Sequence, residues 1–252
     1  MPRLFASAAA FAGPKSKLPS ARYCVHTRRC VASFLFSAAL VSDMSSLQPT
    51  THHTPMPWGV ALMIAHYLRT IGRLDRAVGL LVQWRLGLRP GEMLQLRPAD
   101  IQFSSTGVAL VALGMRRGTK VRRRAAVRVL PTDWRTHALL RRIVLSVPAD
   151  ALITSWRRVP EITADIRDVC RHVGLEPRWT SHCPRAGWAT AQFTLGTPFG
   201  EIMEMGRWSS PASLRTYLDV VASDAIAAAP DVSHYQDYMQ WLDATFLSAW
   251  SL

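Results

Sequence analysis

The chain has 252 residues, of which 49% are hydrophobic, and a formal net charge of +13. That length and apolar content suffice for one good-sized core with a small appendage, while an isoelectric point near 10.7 calls for a polyanionic partner, nucleic acid before an anionic membrane surface. No apolar run reaches the roughly 20 residues that cross a bilayer, Ala32 to Val41 being the longest candidate, so a membrane-spanning protein is excluded.

Residues 1 to 54 differ in composition from the rest of the chain. No Asp or Glu precedes Asp43, while Arg3, Lys15, Lys17, Arg22, Arg28 and Arg29 are spread among Ala and Ser. Organelle transit peptides and flexible DNA-binding arms share this composition. Ser46 to Pro57 then reads as a linker, and His52-His53 within it as linker rather than ligand, because no partner at metal spacing lies near. The four cysteines, Cys24, Cys30, Cys170 and Cys183, show no C-x-x-C pairing. Neither a zinc site nor a disulfide framework is indicated, and a reducing compartment fits.

Helical period begins at Trp58. Trp58, Ala61, Leu62, Ala65, Leu68 and Ile71 recur at steps of three and four, and Leu74, Ala77, Val78, Leu81 and Val82 continue after Gly72, predicting two packed helices. Gly87-Leu88 ends the second and Pro90 starts a short third, leaving Arg89 at the junction. There it suits either an ion pair with Glu92 or an anion site. Val108 to Leu113 and Ala126 to Leu130 are apolar or β-branched and read as the two strands of a small antiparallel hairpin. Their connection carries Arg116, Arg117, Lys120, Arg122, Arg123 and Arg124, with no acid between Asp100 and Asp133. Such a run is a solvated basic loop or, since it repels itself otherwise, a surface for phosphates.

Two more helices come next, one over Trp134 to Leu145 and one from Pro160 to Gly174 carrying Ile162, Ile166, Val169, Cys170 and Val173, which makes Cys170 a core residue. The fold class is therefore α+β and mainly helical. Beyond them lie His182-Cys183-Pro184-Arg185, a helical run to Leu195, then Gly206-Arg207-Trp208, and Ser210-Pro211 as a helix start. His182 and Arg185, three apart, lie on one helix face and can meet one anion. Cys183 lies beside that face and nothing supports it as a nucleophile. Tyr217 falls about two turns into the new helix. A phenol on a rigid support near a cationic pair points to phosphate chemistry with tyrosine as nucleophile.

In order along the chain, Gly87-Leu88-Arg89-Pro90-Gly91-Glu92-Met93-Leu94-Gln95-Leu96, Lys120 in a hairpin, His182-Cys183-Pro184-Arg185, and Trp208 nine residues before Tyr217 together resemble the tyrosine recombinases, or phage integrases. The resemblance covers about residues 55 to 222 and implies their catalytic domain, with 1–54 as a basic arm or transit-like segment and 223–252 as a helical tail. It implies DNA strand exchange through a 3′-phosphotyrosyl intermediate on Tyr217, without metal, nucleotide or other cofactor. Arg89 and Arg185 would clamp the non-bridging phosphate oxygens, Lys120 would protonate the leaving 5′-oxygen, and His182 would assist proton transfer at the nucleophile. Trp208 would donate its indole N–H to the phosphate, Glu92 would support the site by orienting neighbours of Arg89, and Arg207 would be a phosphate contact beside Arg116, Arg117, Arg122, Arg123 and Arg124. Relaxation of the type IB topoisomerase kind uses the same chemistry, and a silent DNA-binding remnant of a mobile element would keep the scaffold.

Family members carry a DNA-gripping helical domain of about a hundred residues before the catalytic one, whereas some 54 residues precede it here. The expected partners are double-stranded DNA, further copies of the chain on that DNA, and a second subunit supplying the missing half of the clamp. The expected location is the nucleus, or an organelle, in a eukaryote and the nucleoid in a bacterium. In the tail, Tyr235, Tyr238, Met239, Leu242, Phe246, Ala249 and Trp250 recur at helical spacing. That stripe either folds back on its own domain or, as the resemblance implies, docks on a neighbouring protomer.

Overall fold

In the computed structural model, residues 53–114 and 125–246 are described; they fall in one compact unit, Thr51–Leu252. Helices α1 (Trp58–Thr70) and α2 (Leu74–Arg85) form its centre. Val60 to Ala65 and Ala77 to Trp84 are buried without a break. A helix apolar on all sides must be covered on all sides. Accordingly α1 packs against α2 and also against the later helices α5 (Val159–Val173) and α11 (Gln236–Ala244). A polar tie supplements this packing: Asp165 of α5 takes Arg73 at 2.9 Å, Arg76 at 2.7 Å and the Trp156 indole at 2.7 Å.

After α2 the chain makes the short helix α3 (Pro90–Met93) and a 3₁₀ turn (Pro98–Asp100), then three antiparallel strands in the order β1 (Ile101–Phe103), β2 (Ala109–Leu113), β3 (Ala125–Val129). The expected hairpin is present, and a third strand, too short to show a period, widens it through the pairs Ile101 with Val111 and Phe103 with Ala109. Ala109, Val111 and Leu113 alternate into the core, as the two-residue period of a half-buried strand requires. The β2 and β3 ladder ends at the Leu113–Ala125 pair. Lys120 and Arg116, Arg117, Arg122, Arg123 and Arg124 lie outside the described residues.

Helix α4 (Trp134–Ser146) is capped by Asp133, whose carboxylate accepts from the Thr136 amide and also binds Arg85 at the end of α2. Helix α5 starts with Pro160 at its second position and stops at Gly174, as the sequence predicts. Then come α6 (Cys183–Thr194), α7 (Phe199–Gly206), α8 (Pro211–Arg215), α9 (Val220–Ala228), α10 (Pro230–Ser233) and α11. Ser210 caps α8 by accepting from the Ser213 amide. This helix is shorter than expected: it ends at Arg215, and Tyr217 lies beyond its C-cap instead of two turns inside.

The tail turns back on its own unit. Leu242 and Phe246 are buried, Asp243 accepts from the Trp58 indole at 2.8 Å and pairs with Arg135 at 2.9 Å, and the Tyr235 hydroxyl donates to the Val173 carbonyl at 2.6 Å. Burying two such side chains contributes about 5 kcal/mol. A chain ending at Ser233 is therefore expected to unfold about 10 to 20 °C below the full chain in scanning calorimetry; an unchanged midpoint would show that α11 adds nothing to this unit.

Candidate active site

Three stretches far apart in sequence, at Arg89, at Arg185 and from Trp208 to Tyr217, meet at one cavity of about 450 Å³ lined by Arg89, Arg185, Trp208, Ser213, Thr216 and Tyr217. Arg89 is the N-cap of α3. Its amide donates to Glu92 Oε2 at 2.7 Å and its Nη1 to Oε1 at 3.0 Å, closing a capping box in which Glu92 stands at the third helical position. Its Nη2 donates to the Arg207 carbonyl at 2.9 Å. The two readings of Arg89 from sequence are thus compatible, since the ion pair with Glu92 orients a guanidinium that still lines the cavity.

Arg185, on the first turn of α6, is fully buried. Nη1 donates to the Gly87 carbonyl and Nη2 to the Gly206 carbonyl, while the guanidinium carbon stands 3.9 Å over the Trp208 ring and 5.6 Å from the Tyr217 ring centre. Its Nε has no hydrogen-bond partner among the described residues. Burial, with the Arg207 and Arg89 charges, pulls its pKa down to about 9, so it stays cationic at neutral pH.

Arg207 departs from the expectation of a phosphate contact. Its side chain is 10% exposed and bonded to Glu92 Oε2 at 2.8 Å, to the Met205 carbonyl at 3.0 Å and to the Gly87 carbonyl at 3.2 Å. It is also the one non-glycine residue with positive φ, 60°, among those described. Its place is to lock the turn after α7, which carries Trp208. Burial pushes the Glu92 carboxyl up, but Arg207, the Arg89 amide and the Arg89 charge outweigh that and hold it below the usual carboxylate range. Two guanidiniums, those of Arg89 and Arg207, thus share one carboxylate, and Arg185 adds a third positive charge at the cavity.

Trp208 is buried at 7% exposure, with its ring stacked on Trp188 at 6.2 Å and edge-on to Tyr217 at 5.4 Å. It serves at once as core aromatic and cavity wall. A Cβ on Gly206 would fall 1.6 Å from this ring, so only glycine fits there.

The Tyr217 hydroxyl stands 3.4 Å from Nδ1 of His182, at the outer limit of a hydrogen bond. Such contacts tighten when substrate arrives. The Tyr217 carbonyl accepts from Thr190 Oγ1 of α6 at 3.2 Å, which fixes the turn after α8 against the helix that carries Arg185. His182 is the N-cap residue of α6. Burial first, then the charges of His53, Arg185 and Arg89, lower its pKa to about 4. The imidazole is therefore neutral at neutral pH and able to accept a proton. Cys183 is buried with its thiol pKa raised by burial, and its sulfur accepts from the Thr180 amide at 3.1 Å; it is inert, as expected.

The structure thus gathers Arg89, Glu92, His182, Arg185, Trp208 and Tyr217 around one cavity. It also adds a residue read as linker, His53, whose ring stacks on His182. The signal for it in sequence was slight: Thr54-Pro55-Met56-Pro57 is too rich in proline to be a loose tether. Among the described residues no group of three or more His, Cys, Asp or Glu converges to hold a metal, and no helix is long and apolar enough to cross a membrane.

Comparison with known proteins bears on the fold and the family. The XerA recombinase structure is 18% identical with a TM-score of 0.50, covering 71% of this chain and 65% of that one. That likeness is one of fold. The XerH site-specific recombinase bound to difH substrate, in a pre-cleavage complex, is 15% identical with a TM-score of 0.48 and covers 71% of this chain and 53% of that one. Its post-cleavage complex on palindromic difH gives 16%, 0.48, 72% and 54%. The chain thus spans between about half and two thirds of the length of these structures. No curated protein matches the sequence. Residues 61–223 match the phage integrase family model, a span that holds every one of the cavity residues, and the chain belongs to that family.

Proposed function

We propose that the protein cleaves and rejoins double-stranded DNA by transesterification on Tyr217, in the manner of site-specific recombination. The observation that carries this reading is the Tyr217 hydroxyl, 3.4 Å from a neutral His182 and on the wall of a cavity shared with Arg89 and Arg185. The phenolic oxygen attacks the scissile phosphorus, its proton passes to His182 Nδ1, and the bond from phosphorus to the 5′-oxygen breaks. A 3′-phosphotyrosyl ester and a free 5′-hydroxyl result. Because the ester keeps the energy of the broken linkage, attack by the hydroxyl of another strand reverses the step without any energy source. Arg185 and Arg89 stabilise the charge that grows on the non-bridging oxygens, the term that dominates phosphoryl transfer. Lys120 is the proposed donor to the leaving oxygen, because an ammonium gives up a proton near neutral pH more readily than the guanidiniums around it. Exchange between two duplexes needs more than one active site, so the working form is proposed to be an assembly of copies on DNA.

The full chain, mixed with nicked suicide DNA in EDTA, is expected to give an adduct that survives denaturation, and Tyr217→Phe to abolish it. Phe keeps the ring against Trp208 and removes the nucleophilic oxygen. An adduct in the Phe variant would overturn the assignment. Absence of any adduct with the parent protein would favour a scaffold kept for DNA binding alone, and strand relaxation without junction formation would favour a topoisomerase.

The basic connection between β2 and β3 is proposed to lie along the DNA backbone. Affinity for random duplex should fall on the order of a thousandfold between 50 and 200 mM salt if about six to ten phosphates are contacted. Replacing Arg122, Arg123 and Arg124 by Ala should lower the slope of log affinity against log salt by about two to three; an equal slope would mean the stretch faces solvent.

A further inference from the structure

The segment before α1 is built into the catalytic site. Thr54-Pro55-Met56-Pro57 carries two prolines, which preset an extended backbone, and Pro57 has φ −57° and ψ 147°. Three bonds strap it down. The Met56 amide donates to the Cys183 carbonyl at 3.1 Å, the Trp84 indole donates to the Met56 carbonyl at 2.8 Å, and the Trp179 indole donates to the Pro55 carbonyl at 3.3 Å. Opposite Met56, α6 has Gly187, where a Cβ would stand 1.9 Å from the Met56 carbonyl oxygen. The helix presents no side chain at the one place where the strap crosses it. A strap with its peptide groups so held has a fixed exit, and that exit is His53.

The His53 ring lies on His182, with centroids 4.7 Å apart and planes 12° from parallel, and stands 5.1 Å from the Tyr217 ring at 41°. We propose that His53 is a positioning residue for the nucleophile: by stacking flat on His182 it shields that imidazole and holds it turned with Nδ1 toward the Tyr217 hydroxyl. The proposal rests on the strand-cleavage reading above for its catalytic meaning, though not for its geometry. Two stacked imidazoles at this distance do not both take a proton readily, since the second charge would enter a half-dry site beside the first. The charged and titratable groups facing His182 are His53 from the strap, Tyr217 beyond α8, Arg185 on its own helix and Arg89 at the start of α3. All the cations among them oppose its protonation. His53 is the only one of these groups that also shields His182 by stacking flat on its ring.

Uncovering His182 lets water back and raises its pKa from about 4 toward the ordinary imidazole value of about 6.5. The imidazole then carries a proton under mildly acid conditions and cannot accept another from Tyr217. Two measurements on the full chain separate this role from simple support. In the first, without DNA, the ¹³Cε1 shift of His182, assigned with His182→Gln, is followed against pH. His53→Ala is expected to raise the midpoint by more than one unit, and His53→Phe, which keeps a flat ring on His182, to hold it near the parent value. In the second, single-turnover cleavage of nicked DNA, His53→Ala should be about tenfold slower than the parent at pH 5 and recover by pH 8, with His53→Phe restoring most of the loss at pH 5. An unchanged His182 midpoint in His53→Ala, or a Phe variant indistinguishable from Ala, would overturn the proposal. Parent protein that forms no adduct at any pH would overturn the cleavage reading instead, and the midpoints would then decide the contact between His53 and His182 by themselves.

Discussion

Everything at the site depends on a buried cation. Taking a guanidinium out of water costs several kcal/mol even after relaxation, and Arg185 has no carboxylate of its own to offset that. It is held by the Gly87 and Gly206 carbonyls and by the face of Trp208, an arrangement in which peptide dipoles and a ring quadrupole replace hydration. The two carbonyls come from the turns that end α2 and α7. Arg185 therefore cross-links elements that are 119 positions apart in sequence, as read from Gly87 and Gly206, and the path of both turns is set by the need to aim a carbonyl at it. Of the five N–H donors of a guanidinium, two are engaged this way. The charge it carries is left without a bonded carboxylate at the wall of the cavity.

Glu92 works at the edge of this cluster. A carboxylate placed directly on Arg185 would have satisfied the cation and removed the positive charge from the cavity wall. Glu92 instead takes the Arg89 amide, the Arg89 guanidinium and Arg207, orienting one arginine at the rim and locking another in the turn. The left-handed backbone at Arg207 costs a non-glycine residue about 1 to 2 kcal/mol. Its guanidinium, bound to Glu92 and to two carbonyls, offsets the strain, and the result is a turn stiff enough to hold Trp208 under the cation.

The long helices were legible in the sequence because apolar residues recur at steps of three and four, although α1 and α2 are buried without a break, and α5 shows its start and stop in Pro160 and Gly174. The arginine, histidine and tyrosine set could be named in the sequence because its boxes resemble those of the phage integrases, and the fold brings Arg89, Arg185 and Tyr217 to one cavity with His182 beside Tyr217. What escaped has physical reasons. Strand β1 has three residues, too few for alternation to register. The place of Tyr217 escaped because Ser210-Pro211 marks where a helix begins, while nothing comparable marks its end after five residues. Arg207 was misassigned because a basic residue beside a site looks the same in sequence whether it faces ligand or a buried carboxylate. The place of His53 was missed because it depends on a strap fixed by two indoles and a glycine far along the chain, and on no local pattern.

Helix α11 gives the assembly of this protein a direction in time. Its Asp243 grips the indole of Trp58, the residue directly after the strap, and Phe246 lies against the same ring at 5.9 Å. Ribosomes deliver a chain from its N-terminus, so α11 emerges after every residue of the site has been made. Until then α1 lacks one of its covering helices, and the strap leading to His53 lacks the anchor at its downstream end. A nascent chain thus carries Arg185, His182 and Tyr217 before α1 has its full cover, and the unit gains its full stability only once α11 has been made.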